Sequence, residues 1–127
     1  MSKTTFHEDE ARAFLDAQGW PGAMQDRLIR QAHKTAIRYF LCDNSASMAA
    51  GDSKRILTDG RICKQVSCSR WAELAACMKF HAHLAHVSGA VGEFRLINGA
   101  EPPRVVGGDR AVSETNLWAL LRQLNEQ

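Results

Sequence analysis

An α/β fold built on a parallel strand pair is predicted by three features of the sequence. An apolar run from Ala36 to Cys42 has the length and composition of a buried strand. The strongest helical signal follows at Ser69 to His86, and a second apolar strand follows that at Glu93 to Asn98, carrying Phe94, Leu96 and Ile97. Strand, helix, strand in that order, with a helix of this length between them, supplies the right-handed crossover that parallel pairing needs.

The chain has 127 residues, enough for one core and too few for two ordinary domains. Hydrophobic residues make up 45% and charged residues 24%, a globular balance, and the net charge of +2 comes from charges scattered in sign. No basic block or aromatic-interleaved basic stripe points to nucleic acid, and no apolar run reaches the length of a membrane span. Residues Met1 to Glu10 are polar and acidic, unlike a secretory signal. A cytoplasmic setting is therefore expected, with Cys42, Cys63, Cys68 and Cys77 as reduced thiols and Cys42 simply packed.

Residues 1–35 form a helical lead-in and residues 36–127 the α/β part. Ala11, Phe14 and Leu15 make one apolar stripe, Gly19 to Gly22 (Gly-Trp-Pro-Gly) break it, and Leu28, Ile29 and Ala32 make a second. The expected result is a helical hairpin that sets Trp20 on the sheet edge. It faintly resembles the start of a ubiquitin-associated module, without the third helix. Arg55 to Ser67 reads as a two-stranded ribbon turning at Asp59 and Gly60. Ser69 is placed to cap the long helix, whose apolar face would hold Trp71, Leu74, Ala75, Met78, Ala82 and Ala85. Beyond Asn98, Gly99 to Asp109 reads as a Pro and Gly rich loop, and Asn116 to Leu124 as a short amphipathic helix.

The first strand ends in Asp43-Asn44-Ser45-Ala46-Ser47-Met48, beyond its carboxyl end, where open α/β sheets place their ligand sites. One carboxylate and two hydroxyls at alternate positions are hard oxygen donors suited to a divalent cation. A plain turn is the competing account, since Asp, Asn and Ser hydrogen-bond readily to nearby backbone.

The Asp-x-Ser-x-Ser pattern, with the apolar strand before it and Met48 after it, resembles the metal-ion-dependent adhesion site of von Willebrand factor type A domains. Arg70, Trp71, Glu73 and Leu74, opening the long helix, and Phe94 to Asn98 look like further parts of the intracellular members. The resemblance covers about residues 36–125 and implies a partial Rossmann-like parallel sheet, truncated after its first βαβ unit. It further implies a protein-interaction function with Asp43, Ser45 and Ser47 as ligands of Mg2+ or Mn2+, to which a partner's acidic side chain would add a ligand. The family's second metal loop supplies a Thr, for which Thr115 is the candidate here, although an ordinary helix cap is the preferred reading of it; the Asp of the third loop has no counterpart. Thr58-Asp59-Gly60 resembles another family strand ending but lies too close to Met48, so a hairpin turn accounts for it better.

A strand ending in Asp also opens haloacid dehalogenase-like phosphohydrolases, with Asp43 as nucleophile; Ser45 stands where that family has its acid. A scaffold without metal is the remaining alternative. No catalytic residues are expected, and incomplete flanking strands predict self-association. Cys63, Cys68, Cys77 and His81 match no trusted zinc spacing. His81 and His83 would point about 160° apart on a helix and cannot converge.

Overall fold

The computed structural model describes residues 6–59 and 62–127. Helices α1 (Glu8–Ala17) and α2 (Gly22–Lys34) form the expected hairpin. Gly19 ends the first by taking φ 80°, a left-handed conformation that costs glycine little. The Gln25 side-chain amide, buried between the helices, donates to the Trp20 carbonyl at 2.9 Å and to Asp16 Oδ1 at 2.6 Å. Trp20 does not lie on the sheet edge as expected. Its indole stacks on Phe80 with ring centroids 5.2 Å apart, within an apolar cluster of Ala11, Leu15, Ile29 and Leu84.

Strand β1 (Arg38–Cys42) leads through a 3-10 turn (Ala46–Ala49) to β2 (Ser53–Asp59) and β3 (Ile62–Cys68), an antiparallel ribbon in which Asp59 faces Ile62. Gly60, the second residue of the expected turn, lies outside the described residues, as does Arg61. Helix α3 (Arg70–Ser88) begins where expected, with Ser69 Oγ accepting the Ala72 N–H at 3.0 Å. It ends at Gly89, φ 79°, whose N–H returns to the Ala85 carbonyl. The helix is buried on two sides. Met78, Ala82 and Ala85, with Trp71 and Leu74 from the same predicted apolar face, pack into the core that holds Cys42 and Phe94 of the sheet, and Leu84 and Phe80 pack toward the hairpin.

Strand β4 (Gly92–Leu96) pairs parallel with β1, placing Phe40 beside Phe94 with their rings stacked at 4.5 Å. The sheet is nevertheless mixed rather than parallel. A short strand β5 (Arg104–Val106), inside the stretch expected to be a loop, joins β4 antiparallel and gives the order β1-β4-β5. Three residues among Pro and Gly carry too weak a local signal to read as a strand. Gly107 makes the turn that follows possible: φ is 97°, and a Cβ there would stand 2.5 Å from the Ala90 carbonyl oxygen.

Helix α4 (Arg110–Asn125) starts six residues before the predicted Asn116 and is capped by Asp109, which accepts the Val112 N–H at 3.0 Å. Thr115 is therefore not a helix cap. It lies inside α4, where its hydroxyl donates to the Ala111 carbonyl at 3.3 Å.

Helices α3 and α4 cover one face of the sheet, with Cys42, Phe94, Val106, Leu117, Leu120 and Leu124 at the core. The other face is covered by no described element. Tyr39 is 67% exposed and Leu41 69%, so β1 is not the buried strand that its composition predicts. Alternation along β1, with Phe40 and Cys42 turned to the core, accounts for this. The architecture is thus mixed α/β, helices on one side of a small mixed sheet. No helix among the described residues is long and apolar enough to cross a membrane.

Candidate functional site

Because β1 and β4 run parallel, their carboxyl ends lie side by side, and the loops leaving them are joined. The Ile97 N–H donates to the Cys42 carbonyl at 3.0 Å, extending the ladder past the strands. Asn44 then closes a two-bond clamp on the backbone of Asn98. Its Nδ2 donates to the Asn98 carbonyl at 2.7 Å and its Oδ1 accepts the Asn98 N–H at 2.8 Å. Nδ2 also donates to Gln127 Oε1 at 3.0 Å, which ties in the end of the chain. The primary amide is the one side-chain group that presents a donor and an acceptor in the arrangement of a peptide. Asn44 therefore continues the strand pairing with its side chain.

Between these fixed points lies the turn. Asp43 Oδ1 accepts the Ser45 N–H at 2.9 Å, and the Ser45 and Ser47 hydroxyl oxygens stand 3.1 Å apart. The Met48 N–H returns to the Ser45 carbonyl at 3.0 Å and starts the 3-10 turn. Asp43, Ser45 and Ser47 are thus brought together as three oxygen-bearing side chains on one hydrogen-bonded turn. Hydrogen bonds from the Ser45 backbone N–H and then its hydroxyl hold the Asp43 carboxyl below its ordinary range. It is ionised at neutral pH. Beneath it, burial pushes the Cys42 thiol up to about 11, and Cys42 packs in the core as expected.

A second fastening holds the far side of the turn. Arg70 Nε and Nη2 reach the two Asp52 carboxylate oxygens at 2.8 and 2.6 Å, and the Arg70 N–H donates to the Ala50 carbonyl at 2.9 Å. The guanidinium lowers the Asp52 pKa, and the pair is exposed, so its role is to place the segment rather than to stabilise the fold. Beside the turn opens a cleft of about 370 Å³ lined by Asn44, Ser45, Met48, Ser69, Trp71 and Gln127. Its floor is set by the Trp71 indole, whose Nε1–H donates to the Leu124 carbonyl at 3.2 Å.

Thr115 does not join this group, since its hydroxyl is committed to the Ala111 carbonyl within α4. Asn44 and Gln127 are the members that sequence reasoning missed. Their partners are distant along the chain, and no local spacing marks such a clamp. Elsewhere, His86 Nδ1 and Ser113 Oγ stand 2.7 Å apart, but the hydroxyl is buried and also accepts the Gly107 N–H, so the pair locks the β5–α4 turn.

As oxygen donors, the turn fits a small hard cation. Cis ligands of octahedral Mg2+ at 2.0–2.1 Å are ~2.9 Å apart, close to the 3.1 Å between the two serine hydroxyls. Asp43 keeps Oδ2 clear of the Ser45 N–H bond and supplies the formal charge. Comparison of the chain with protein-family models, with curated proteins and with solved structures gave no match, so the case for a function rests on this geometry alone.

Proposed function

We propose that the chain is a protein-interaction module whose contact point is the Asp43–Ser47 turn. The observation that supports this best is the placement of one carboxylate and two hydroxyls on a single clamped turn where two parallel strands end together. Asp43, Ser45 and Ser47 would hold Mg2+ or Mn2+, and the remaining coordination positions would take a carboxylate from the partner. When bound, the cation supplies the positive charge that the acidic partner recognises.

The chain's own residues do the positioning. Asn44 holds the turn to β4, Arg70 with Asp52 holds its far end to α3, and the cleft beside Trp71 and Met48 accepts apolar surface next to the carboxylate. The resemblance to von Willebrand factor type A domains and the cytoplasmic setting belong to this same reading. With Thr115 directed elsewhere, the shell consists of one turn, and binding is expected near millimolar, on the order of 4 to 6 kcal/mol.

Calorimetric titration of Mg2+ and Mn2+ into the wild type and Asp43→Ala tests the assignment. The variant should lose binding altogether. Equal affinity in the two would remove the metal from the proposal, and phosphatase activity that disappears in Asp43→Asn would replace it with the phosphohydrolase reading.

A further inference from the structure

The two edges of the sheet are treated differently. At the β5 edge, α4 packs alongside and Asn116 Nδ2 donates to the Val105 carbonyl at 2.8 Å, so that edge is closed by a side chain. At the β1 edge no described element pairs. The ladder shows which groups are left there. Arg38 N–H donates to the Val91 carbonyl and the Cys42 carbonyl accepts the Ile97 N–H, so the even-numbered residues of β1 face β4. The N–H and C=O groups of Tyr39 and Leu41 consequently point outward.

We propose that this edge is the interface of a homodimer, in which β1 of a second copy pairs antiparallel with β1 about a two-fold axis at Phe40. Three features of the strand favour its own copy. With the axis at Phe40, Tyr39 lies opposite Leu41 of the second copy, and each such pair exchanges both of its outward backbone bonds, about four bonds in all. The side chains of those residues, both largely exposed, become cross-strand neighbours on the uncovered face. The segment is also charged oppositely at its two ends, Arg38 and Asp43, so antiparallel pairing sets unlike ends together where parallel pairing would set like ends together. The Arg38 guanidinium itself packs over the Phe40 ring, 5.4 Å from its centroid, with Nε and Nη2 buried, so its charge acts on the second copy at a distance rather than by direct contact. The backbone bonds of this interface do not involve the proposed metal contact and need no bound cation; Asp43, at the end of the paired segment, is the one residue common to both.

Sedimentation equilibrium of the full chain, over a range of concentration, tests the proposal with three variants. Leu41→Pro removes an outward N–H and none of the bonds to β4. Leu41→Lys puts a charge on the edge without touching the backbone. Val105→Lys puts the same charge on the uncovered face at the far strand. The wild type should be dimeric, both Leu41 variants should associate at least about tenfold more weakly, and Val105→Lys should dimerise like the wild type. If circular dichroism shows Leu41→Pro unfolded, Leu41→Lys decides in its place. A wild type still monomeric at about 100 µM, undiminished association in a folded Leu41 variant, or equal dissociation by Val105→Lys would each overturn it.

Discussion

Replacing Asn44 with alanine isolates the clamp from the turn it holds. The substitution deletes the bonds at 2.7 and 2.8 Å to Asn98 and the bond at 3.0 Å to Gln127. A net hydrogen bond contributes about 0.5–1.5 kcal/mol, and here the freed Asn98 groups are exposed and regain water, which puts each at the low end. The expected loss is about 1–2 kcal/mol, or a fall in Tm of about 3–8 °C for a chain of this size. Asn44→Asp should cost more at neutral pH, because it keeps the acceptor for the Asn98 N–H but sets a carboxylate against the Asn98 carbonyl and beside ionised Asp43. Urea unfolding by circular dichroism, analysed by linear extrapolation, measures both variants. If Asn44→Ala falls within about 0.3 kcal/mol of the wild type, the clamp does not hold the two loops together and the account of the site's rigidity fails.

Two further outcomes follow from other parts of the fold. Burial, with the neighbouring Arg38 charge, lowers the His81 pKa from 6.5, so on acidification the unfolded chain takes up this proton before the folded one does. Stability should therefore fall as pH drops below about 6.5, and His81→Leu should flatten that slope in unfolding measured across pH 5–7; an unchanged slope would show that His81 is not its source. Gly107→Ala should cost about 2–4 kcal/mol, combining left-handed strain with the clash on the Ala90 carbonyl, against about 1 kcal/mol for Gly99→Ala, whose surroundings are open; similar melting temperatures for the two would refute the close approach of β5 to the end of α3.

Elements bounded by their own local chemistry were legible. The Gly-Trp-Pro-Gly break at Gly19 to Gly22, the Ser69 cap and the Gly89 stop all act within one turn of chain, and the hairpin and α3 stand where those residues put them. What local pattern cannot report is which neighbours a segment finds. Tyr39 and Leu41 belong to an apolar run that reads as covered on both faces, yet one face of β1 is open. The first turns of α4, capped by Asp109, turn only Ser113 to the interior and leave Val112 exposed, so no apolar stripe marks them and the one that becomes visible at Asn116 hid the true start. The site divides in the same way. Asp43, Ser45 and Ser47 are adjacent in sequence and visible there, whereas Asn98 reaches Asn44 only because β1 and β4 run parallel in one register.

The small sheet also explains why the turn needs so many fastenings. A loop at the carboxyl end of a central strand in a wide sheet is held by neighbours on both sides, but β1 is an edge strand and has β4 on one side only. Its loop would be expected to move with the edge. Three contacts oppose that motion: the Asn44 clamp toward β4, the Arg70–Asp52 pair toward α3, and the Gln127 side chain from beyond α4. They act from one flank and from the helix layer, and none acts from the open side of β1. Pairing of that side with another strand would restrain Cys42, and through it Asp43, from the direction that the monomer leaves unrestrained. The free edge and the oxygen-bearing turn are consecutive along the chain, so anything that orders the strand also orders the first residue of the site.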